Sequence, residues 1–342
     1  MQPKIARFCL IFALFSAFCS MPAAKTLQAR AAAYPSKAEC VIDAESRRIL
    51  YAYSSDKPLP IASTTKILTA TTVLEKTENS DQEIVIPNAA VGIEGSSVYL
   101  KAGDRYTVKD LLYGLLLRSG NDCATALALT VAPSVSEFAV MMNQTAQRCG
   151  ALHGNFVNPH GLHHEKHYST AKDLCYITAT ALKYPLFREI IATKRYEKCG
   201  WTNKNKLLTQ YEGCLGGKTG FTKKAGKCLV SVAERESKEG KMTLICSVLS
   251  CPSTYERTKT LFDDAFERYE RTKLLSKDDV IETSQGRTNP AEEFYYPLLK
   301  EESGLIRRVV KEYKTVKNGK ILGQMQIWLA NHLIFSTNLY KL

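Results

Sequence analysis

Pro60-Ile61-Ala62-Ser63-Thr64-Thr65-Lys66-Ile67-Leu68-Thr69-Ala70 joins an extended segment to a long run with apolar residues at helical spacing. In a helix that begins at Ser63, Ser63 and Lys66 share one face of the first turn. A neutral amine in that place takes the proton of the hydroxyl as its oxygen attacks a carbonyl. The helix N-terminus favours negative charge nearby, because its backbone N–H groups are unpaired. The segment therefore predicts a nucleophile with a base within reach.

The pattern Ser-x-x-Lys is not unique in this chain. It occurs at Ser54/Lys57, Ser63/Lys66 and Ser169/Lys172. Ser54 lies in a polar turn and Ser169 fits a helix cap, so only Ser63 stands between an extended segment and an apolar helix. An isolated match is still more often a helix-start serine beside a solvated lysine. Ser63 therefore needs partners elsewhere in the sequence.

Two further polar clusters lie at the ends of predicted elements. Ser119-Gly120-Asn121 separates a helix that starts at Thr107 from one that starts at Asp122. Lys218-Thr219-Gly220 lies on or just before a strand, where glycine lets another backbone approach closely. Each cluster alone is also explained by an ordinary turn, so neither decides the function by itself.

Short apolar runs between helical segments predict an α/β fold, with an antiparallel sheet flanked by helices, over residues 34–272. The clearest predicted strands are residues 40–42, 48–52, 227–233 and 243–249. The first two are joined by a polar turn and should form a hairpin at the edge of the sheet.

The character of the sequence changes beyond residue 275. Only short strands are predicted there, together with a hairpin turn at Lys317-Asn318-Gly319-Lys320. We therefore expect a separate small β domain over residues 276–342.

The first residues have the composition of an export signal. Lys4 and Arg7 precede an apolar run over residues 8–19, and small residues follow. The run is too short to cross a bilayer comfortably, so we expect a cleaved signal peptide over residues 1–24, with cleavage as late as residue 33. The mature protein should then be exported, and either secreted or held at the cell wall or the outer face of the cytoplasmic membrane.

The chain carries a net charge of +12. Outside a cell this charge suits anionic partners such as wall polymers or lipid headgroups. No recognisable nucleic-acid-binding module accompanies the charge, so we expect no nucleic-acid partner. The sequence does not indicate an oligomeric state.

The cysteines and histidines give no clear metal site. Nine cysteines remain beyond the predicted signal peptide, an odd number, so at least one is unpaired or bonded to another molecule. Because the protein is expected to be exported, some of these cysteines could form disulfide bonds. Five of the six histidines are His153, His160, His163, His164 and His167, but their spacing misses the His-Glu-x-x-His zinc pattern by one residue. We expect a polar loop that flanks the site, with no metal and no cofactor.

The three clusters, in this order, resemble the signature of penicillin-binding proteins and serine β-lactamases. Wider stretches sharpen the resemblance to the low-molecular-mass D-alanyl-D-alanine carboxypeptidases. These stretches are Pro60 to Ile67, Ser119-Gly120-Asn121-Asp122, Phe156-Val157-Asn158-Pro159-His160-Gly161-Leu162, Tyr168-Ser169-Thr170-Ala171 and Lys218-Thr219-Gly220. The resemblance covers roughly residues 38–269 and implies a β-lactamase/transpeptidase-like domain. The C-terminal β region is similar to that family's second domain, but shorter.

The resemblance implies a serine-type carboxypeptidase that removes the terminal D-alanine from peptidoglycan stem peptides. Ser63 would be the nucleophile that forms an acyl-enzyme, and Lys66 the general base. Lys66 must then be neutral, which burial and the second cation Lys218 would favour. Ser119 would relay a proton to the leaving amine, and Asn121 would hold the substrate amide.

The same resemblance implies how the substrate is held. The backbone N–H groups of Ser63 and Phe221 would form the oxyanion hole. Lys218, Thr219 and Gly220 would bind the region of the terminal carboxylate. Arg257, at a position similar to the family's carboxylate-binding arginine, would assist.

Rival functions differ in testable ways. A class A β-lactamase would carry a Glu-x-x-Leu-Asn loop between Asn121 and Lys218, and the sequence has none there; β-lactam antibiotics should therefore be covalent inhibitors. An endopeptidase or transpeptidase would differ only in leaving group or acceptor, which these motifs do not separate. A non-catalytic wall-binding protein is disfavoured, because it would need none of the reactive residues.

Overall fold

Five antiparallel strands form the central sheet, in the order Ile49–Tyr53, Ala38–Asp43, Gly240–Leu249, Gly226–Ser237 and Cys214–Thr222. The computed structural model describes residues 35–317 and 320–342. The strands in these residues are β1 (Ala38–Asp43), β2 (Ile49–Tyr53), β3 (Glu83–Val85), β4 (Arg105–Thr107), β5 (Arg195–Tyr196), β6 (Trp201–Thr202), β7 (Cys214–Thr222), β8 (Gly226–Ser237), β9 (Gly240–Leu249), β10 (Tyr269–Leu275), β11 (Ile281–Thr283), β12 (Gly286–Pro290), β13 (Phe294–Leu299), β14 (Ile306–Lys317), β15 (Ile321–Leu329) and β16 (His332–Lys341). The predicted signal peptide and the tip of the predicted hairpin turn, Asn318-Gly319, lie outside the described residues.

Helices cover the sheet and enclose the main core. They are α1 (Lys66–Lys76), α2 (Val108–Tyr113), α3 (Asn121–Val131), α4 (Val135–Arg148), α5 (Ala171–Ala181), α6 (Pro185–Ala192), α7 (Leu207–Gln210) and α8 (Thr254–Arg268). Apolar side chains of α1, α3 and α5 pack in one cluster with those of the sheet. The predicted α/β class, an antiparallel sheet flanked by helices, is confirmed.

The two edges of the sheet have different roles. The predicted hairpin is confirmed at one edge, where β1 pairs with β2 and Val41 lies opposite Tyr51. The other edge is β7, which pairs only with β8 inside this sheet. Because β7 contains Lys218-Thr219-Gly220, that cluster lies on an edge strand. The side of β7 that is not paired with β8 can therefore contact the residues packed beside it.

Side-chain caps fix where two important helices begin. Thr107 accepts a hydrogen bond from the Asp110 amide, and Asp110 accepts one from the Thr107 amide. Asp110 thus completes a capping box in the place of the usual Glu. Ser169 and Thr170 both fit the cap of α5, and the structure has Thr170 there, with the Asp173 amide donating to the Thr170 hydroxyl at 3.0 Å.

Val98-Tyr99-Leu100 has the composition of a short strand, and the sequence alone predicts one there, but these residues do not form a strand. The buried Asp122 carboxylate accepts hydrogen bonds from the Val98 and Leu100 amides at 3.0 and 3.2 Å, and from the Ser97 hydroxyl. A side chain therefore satisfies the backbone groups that a neighbouring strand would have taken. The strand that pairs with β3 is β4 instead.

The C-terminal residues form their own β structure. Strands β11, β12, β16, β15 and β14 make a second five-stranded sheet, while β10 pairs with β13. Residues 36–342 nevertheless form one compact unit. Arg48, beyond the β1–β2 turn, contacts this region through an ion pair with Glu302.

The nine described cysteines are free, and seven of them are buried. The seven buried cysteines behave as small apolar side chains of the core. Within residues 35–317 and 320–342, no single helix is long and apolar enough to span a membrane. The pair α3 and α4 reaches that length and composition only jointly, across an 86° bend.

Candidate active site

Ser63 lies at the start of a continuous helical segment, but not in its α-helical part. Residues Ala62–Thr65 form a 3₁₀ turn, and the α-helix begins at Lys66. Ser63 and Lys66 still share a face, with 3.1 Å between the Ser63 Oγ and the Lys66 Nζ. The predicted pairing is thus present, although the tighter turn differs from the predicted α-helical start.

Lys66 is fully buried, and three oxygens surround its amine. Besides Ser63 Oγ, Nζ lies 2.7 Å from the Asn121 Oδ1 and 2.7 Å from the His160 carbonyl oxygen. Burial lowers the pKa of Lys66 well below its usual value, and the positive charge of Lys218 lowers it further. The neutral amine is therefore favoured.

The loop Asn158-Pro159-His160-Gly161-Leu162 is the floor beneath this helix start. The His160 carbonyl contacts Lys66, and the Pro159 carbonyl accepts from the Thr69 hydroxyl at 2.6 Å. Gly161 has φ +82°, and a β-carbon there would lie 2.0 Å from the Ala62 carbonyl oxygen. Only glycine fits this contact, so the loop holds the segment before Ser63.

We expect Gly161→Ala to destabilise the protein more than Gly103→Ala, a matched control at φ +85° with open space around it. Both variants carry the cost of alanine at positive φ, about 1–2 kcal/mol. Gly161→Ala adds the backbone clash, about 1–3 kcal/mol. Urea denaturation of both variants measures the difference. Equal losses of unfolding free energy would show that the loop shifts to accommodate the added methyl group at no further cost.

The corner at Ser119 and Asn121 is built by an unusual turn. A π-helical turn, Gly114–Arg118, ends in Ser119 with left-handed backbone (φ +67°), and α3 begins at Asn121. The Asn121 side chain accepts from Lys66 and donates to the Glu94 carbonyl. These two hydrogen bonds fix the orientation of the Asn121 amide beside Lys66.

Strand β7 supplies the opposite wall. A β-carbon at Gly220 would lie 3.1 Å from the Ser63 amide nitrogen, so glycine lets the strand lie directly against the 62–65 turn. Lys218 is buried, and its Nζ donates to the Thr219 carbonyl at 2.8 Å. Burial, with the charge of Lys204, lowers the pKa of Lys218 to about 7. The Phe221 side chain is 65% exposed at the rim.

One cleft brings most of the predicted residues together. Ser63, Ser119, Thr219, Gly220 and Phe221 all line it, and Lys66 and Asn121 lie beneath Ser63. Sequence patterns assign no role to several contributors to this region. They are Ser96 and Lys204 on the cleft wall, Asp122 behind it, and the buried His167.

The prediction for Arg257 is wrong. Its side chain is fully buried and forms an ion pair with the buried Glu39, with 2.7 Å between Arg257 Nη2 and Glu39 Oε2. Arg257 also donates to the Tyr51 hydroxyl at 3.0 Å. It lies one turn before Leu261 on the buried face of α8, so it points at the sheet. Neighbouring Tyr255 and Glu256 line the cleft instead.

We therefore expect Arg257→Met to act on stability. Leaving Glu39 buried without this partner should cost about 3–5 kcal/mol of unfolding free energy. Tyr51→Phe, which removes only the hydroxyl contact, should cost about 1 kcal/mol. Thermal and urea unfolding give these values; a fully stable Arg257→Met that binds substrate poorly would restore the binding role.

Comparisons with known proteins agree with this geometry. The family model described as D-alanyl-D-alanine carboxypeptidase, peptidase S11, matches residues 24–253. The D-alanyl-D-alanine carboxypeptidase DacF of Bacillus subtilis is 33% identical over 265 residues, which cover 73% of this chain and 67% of DacF.

Solved structures show the same fold. Penicillin binding protein 5 from Haemophilus influenzae superposes with a TM-score of 0.76 at 26% identity, over 90% of this chain and 96% of that one. A mutant of the Streptomyces K15 DD-transpeptidase gives a TM-score of 0.63 at 32% identity, over 68% and 98%. With the family model matching more than half of its residues, the chain belongs to the D-alanyl-D-alanine carboxypeptidase family and is a serine hydrolase.

Proposed function

We propose that the protein is a D-alanyl-D-alanine carboxypeptidase that removes the terminal D-alanine from peptidoglycan stem peptides through an acyl-enzyme at Ser63. The observation that carries the proposal is the environment of Lys66. Its buried amine contacts the Ser63 hydroxyl and two carbonyl oxygens, Asn121 Oδ1 and the His160 carbonyl.

That arrangement orients the lone pair of a neutral amine. Carbonyl oxygens only accept hydrogen bonds, so Asn121 and His160 take the two N–H hydrogens of Lys66. The lone pair then faces Ser63, whose hydroxyl donates to it. When Ser63 Oγ attacks the carbonyl of the penultimate D-alanine, Lys66 receives the proton.

The remaining groups would stabilise the negative oxygen of the tetrahedral intermediate and carry a proton to the leaving amine. The negative oxygen of the tetrahedral intermediate would lie between the backbone N–H groups of Ser63 and Phe221, and the close contact of Gly220 with the Ser63 backbone supports this. Ser119, on the cleft wall, would pass the proton from Lys66 to the leaving amine of D-alanine. C–N cleavage then leaves the acyl group on Ser63.

Substrate binding follows the edge of the sheet. The stem peptide would lie along β7, with its terminal carboxylate at Lys218 and Thr219 and its amide at Asn121. Phe221, exposed at the rim, offers an apolar face to the peptide. No role in this binding is assigned to Arg257, because its side chain is buried against Glu39.

Slow release of β-lactams follows from the floor of the site. Beneath Lys66 the 158–162 loop presents carbonyl groups, and the buried Asp122 carboxylate is bound by backbone amides. Within the described residues, neither feature offers a free carboxylate to activate water. Glu256 on the cleft wall is paired with Lys259, so penicillin should acylate Ser63 and stay bound.

The proposal extends to location. Residues 1–24 contain Lys4 and Arg7 and no acidic residue, so the exported protein would keep a net charge of +10 and lie against an anionic wall or lipid surface. Edge strand β14 presents exposed Arg307, Lys311 and Lys314, which supports such a contact. N-terminal sequencing of the protein from culture medium or envelope tests export. Retention on wall sacculi that persists in 1 M salt, at roughly 3 Å screening length, would contradict an electrostatic contact.

One assay separates the proposed reaction from its rivals. The protein is incubated with diacetyl-Lys-D-Ala-D-Ala, with a cross-linked muropeptide dimer, and with the first peptide plus free glycine as acceptor. Release of D-alanine from the first peptide is the expected result. Cleavage of the dimer alone would indicate an endopeptidase, and exclusive transfer to glycine would indicate a transpeptidase. No reaction together with non-covalent retention on the wall would indicate a binding protein.

A further inference from the structure

A buried histidine outside the reactive groups is connected to the peptide that precedes Ser63. His167 is only 3% exposed and lies on the segment just before α5. Its Nε2 is 2.8 Å from the hydroxyl of Thr65, a fully buried residue of the 62–65 turn. Thr65 in turn donates to the Ala62 carbonyl at 2.7 Å. A chain of two hydrogen bonds therefore joins His167 to the residue beside the nucleophile.

The direction of this chain is determined by its far end. The Val157 amide donates to His167 Nδ1 at 3.2 Å, so Nδ1 carries a lone pair and the ring hydrogen is on Nε2. Nε2–H then donates to the Thr65 oxygen, which leaves the single Thr65 hydrogen for Ala62. Burial first, and nearby positive charge after it, lower the pKa of His167 to about 4, so the ring is neutral at pH 7.

Ala62 needs to be held. Its φ is +49°, a left-handed backbone that costs alanine about 1–2 kcal/mol. Gly161 covers one side of the Ala62 carbonyl, and the Thr65 hydroxyl binds the oxygen itself. The peptide so fixed is the one whose nitrogen belongs to Ser63, and it therefore aims the N–H proposed for the oxyanion hole.

We propose that His167 is a positioning residue that acts through Thr65, and that this relay fixes the Ala62–Ser63 peptide for acylation. The inference rests on the proposed acylation of Ser63. A local strain held by surrounding contacts is a known means of preorganising a reactive group. Within the part of the chain that the structure describes, His167 makes no hydrogen bond to Ser63 or Lys66, and its effect passes through Thr65.

Two pairs of variants isolate the relay. His167→Asn places an amide oxygen near the Nδ1 position and keeps the bond from Val157, but it is too short to reach Thr65. His167→Gln places an N–H near Nε2 and keeps the bond to Thr65. Thr65→Val removes the hydroxyl at nearly the same volume, while Thr65→Ser retains it. Circular dichroism and thermal unfolding select folded protein.

The readout is acylation by fluorescent penicillin, resolved into non-covalent affinity and the acylation rate constant. We expect His167→Asn and Thr65→Val to lower the rate constant by about 10–100-fold with little change in affinity, as misplacement of a reacting group does. His167→Gln and Thr65→Ser should restore most of it. If His167→Asn does not fold, the Thr65 pair decides.

Two results would overturn the relay. One is a rate constant for Thr65→Val within about threefold of that of wild type. The other is an equal loss in Thr65→Val and Thr65→Ser, since the second keeps the hydroxyl. Wild-type protein that penicillin fails to acylate would instead overturn the proposed function, and this inference with it.

Discussion

Lys66→Ala should lower the rate constant for acylation by penicillin by about 10²–10⁴-fold, the usual contribution of a general base. The reason is the loss of the only amine in hydrogen-bond contact with the Ser63 hydroxyl among the described residues. The two carbonyl acceptors, Asn121 Oδ1 and the His160 carbonyl, would remain but have no basic lone pair to offer. Stopped-flow fluorescence with a labelled penicillin measures the rate constant.

Lys172→Ala is the matched control, because Lys172 belongs to another Ser-x-x-Lys pattern of the same chain. Lys172 forms an ion pair with Asp56 and should affect acylation by less than about threefold. Circular dichroism would show whether Lys66→Ala is folded. If the folded variant is acylated at the same rate as Lys172→Ala, Lys66 is not the base, and only the assignment of Ser63 as the nucleophile is retained.

The second large effect concerns Lys218 and pH. Its positive charge lowers the pKa of Lys66, and its own pKa is lowered to about 7. The reactive form needs neutral Lys66 and charged Lys218, so kcat/KM for the peptide should rise with pH as Lys66 loses its proton. It should fall again as Lys218 loses its own, near pH 7.

Substitutions at Lys218 should change the rising and the falling limb of the pH profile of kcat/KM separately. Lys218→Arg keeps the charge at all accessible pH values, so the falling limb should disappear while the rising limb stays. Lys218→Gln removes the charge, so the pKa of Lys66 rises and the rising limb shifts to higher pH. It should also lower kcat/KM at pH 7 by about 10–100-fold, the value of a hydrogen bond to a charged group.

The outcome that contradicts this account is specific. An unchanged falling limb in Lys218→Arg would assign that limb to another group, such as Lys204 on the cleft wall, whose pKa is also lowered by partial desolvation. A rising limb that stays in place in Lys218→Gln would show that burial alone keeps Lys66 neutral.

Sequence patterns predicted the parts of the site that depend on local order. Ser63 and Lys66 are three residues apart, so any helical turn brings them together. Thr219 and Gly220 lie on a strand, and the apolar runs that follow it, residues 227–233 and 243–249, indicated a sheet in this part of the chain. The position of that strand at the edge of the sheet was not predicted, since strand order is not visible in a linear pattern.

The missed features depend on contacts between distant segments. The family resemblance predicts that Arg257 binds the substrate carboxylate. Glu39, 218 residues earlier, instead holds its side chain in the core. A buried partner of this kind has no local signal. The contact of His167 with Thr65 spans 102 residues in the same way. The His160 carbonyl is backbone, so no side-chain pattern could have marked it as a contact of Lys66.

The central claim is that Ser63 carries the acyl group. Wild type and Ser63→Ala are incubated with penicillin, and intact mass followed by peptide mapping locates any adduct. We expect one penicilloyl group per wild-type molecule, on Ser63, that persists far longer than it takes to form, and none on Ser63→Ala. A stable adduct on Ser63→Ala, or rapid penicillin turnover by wild type without a stable adduct, would contradict the account.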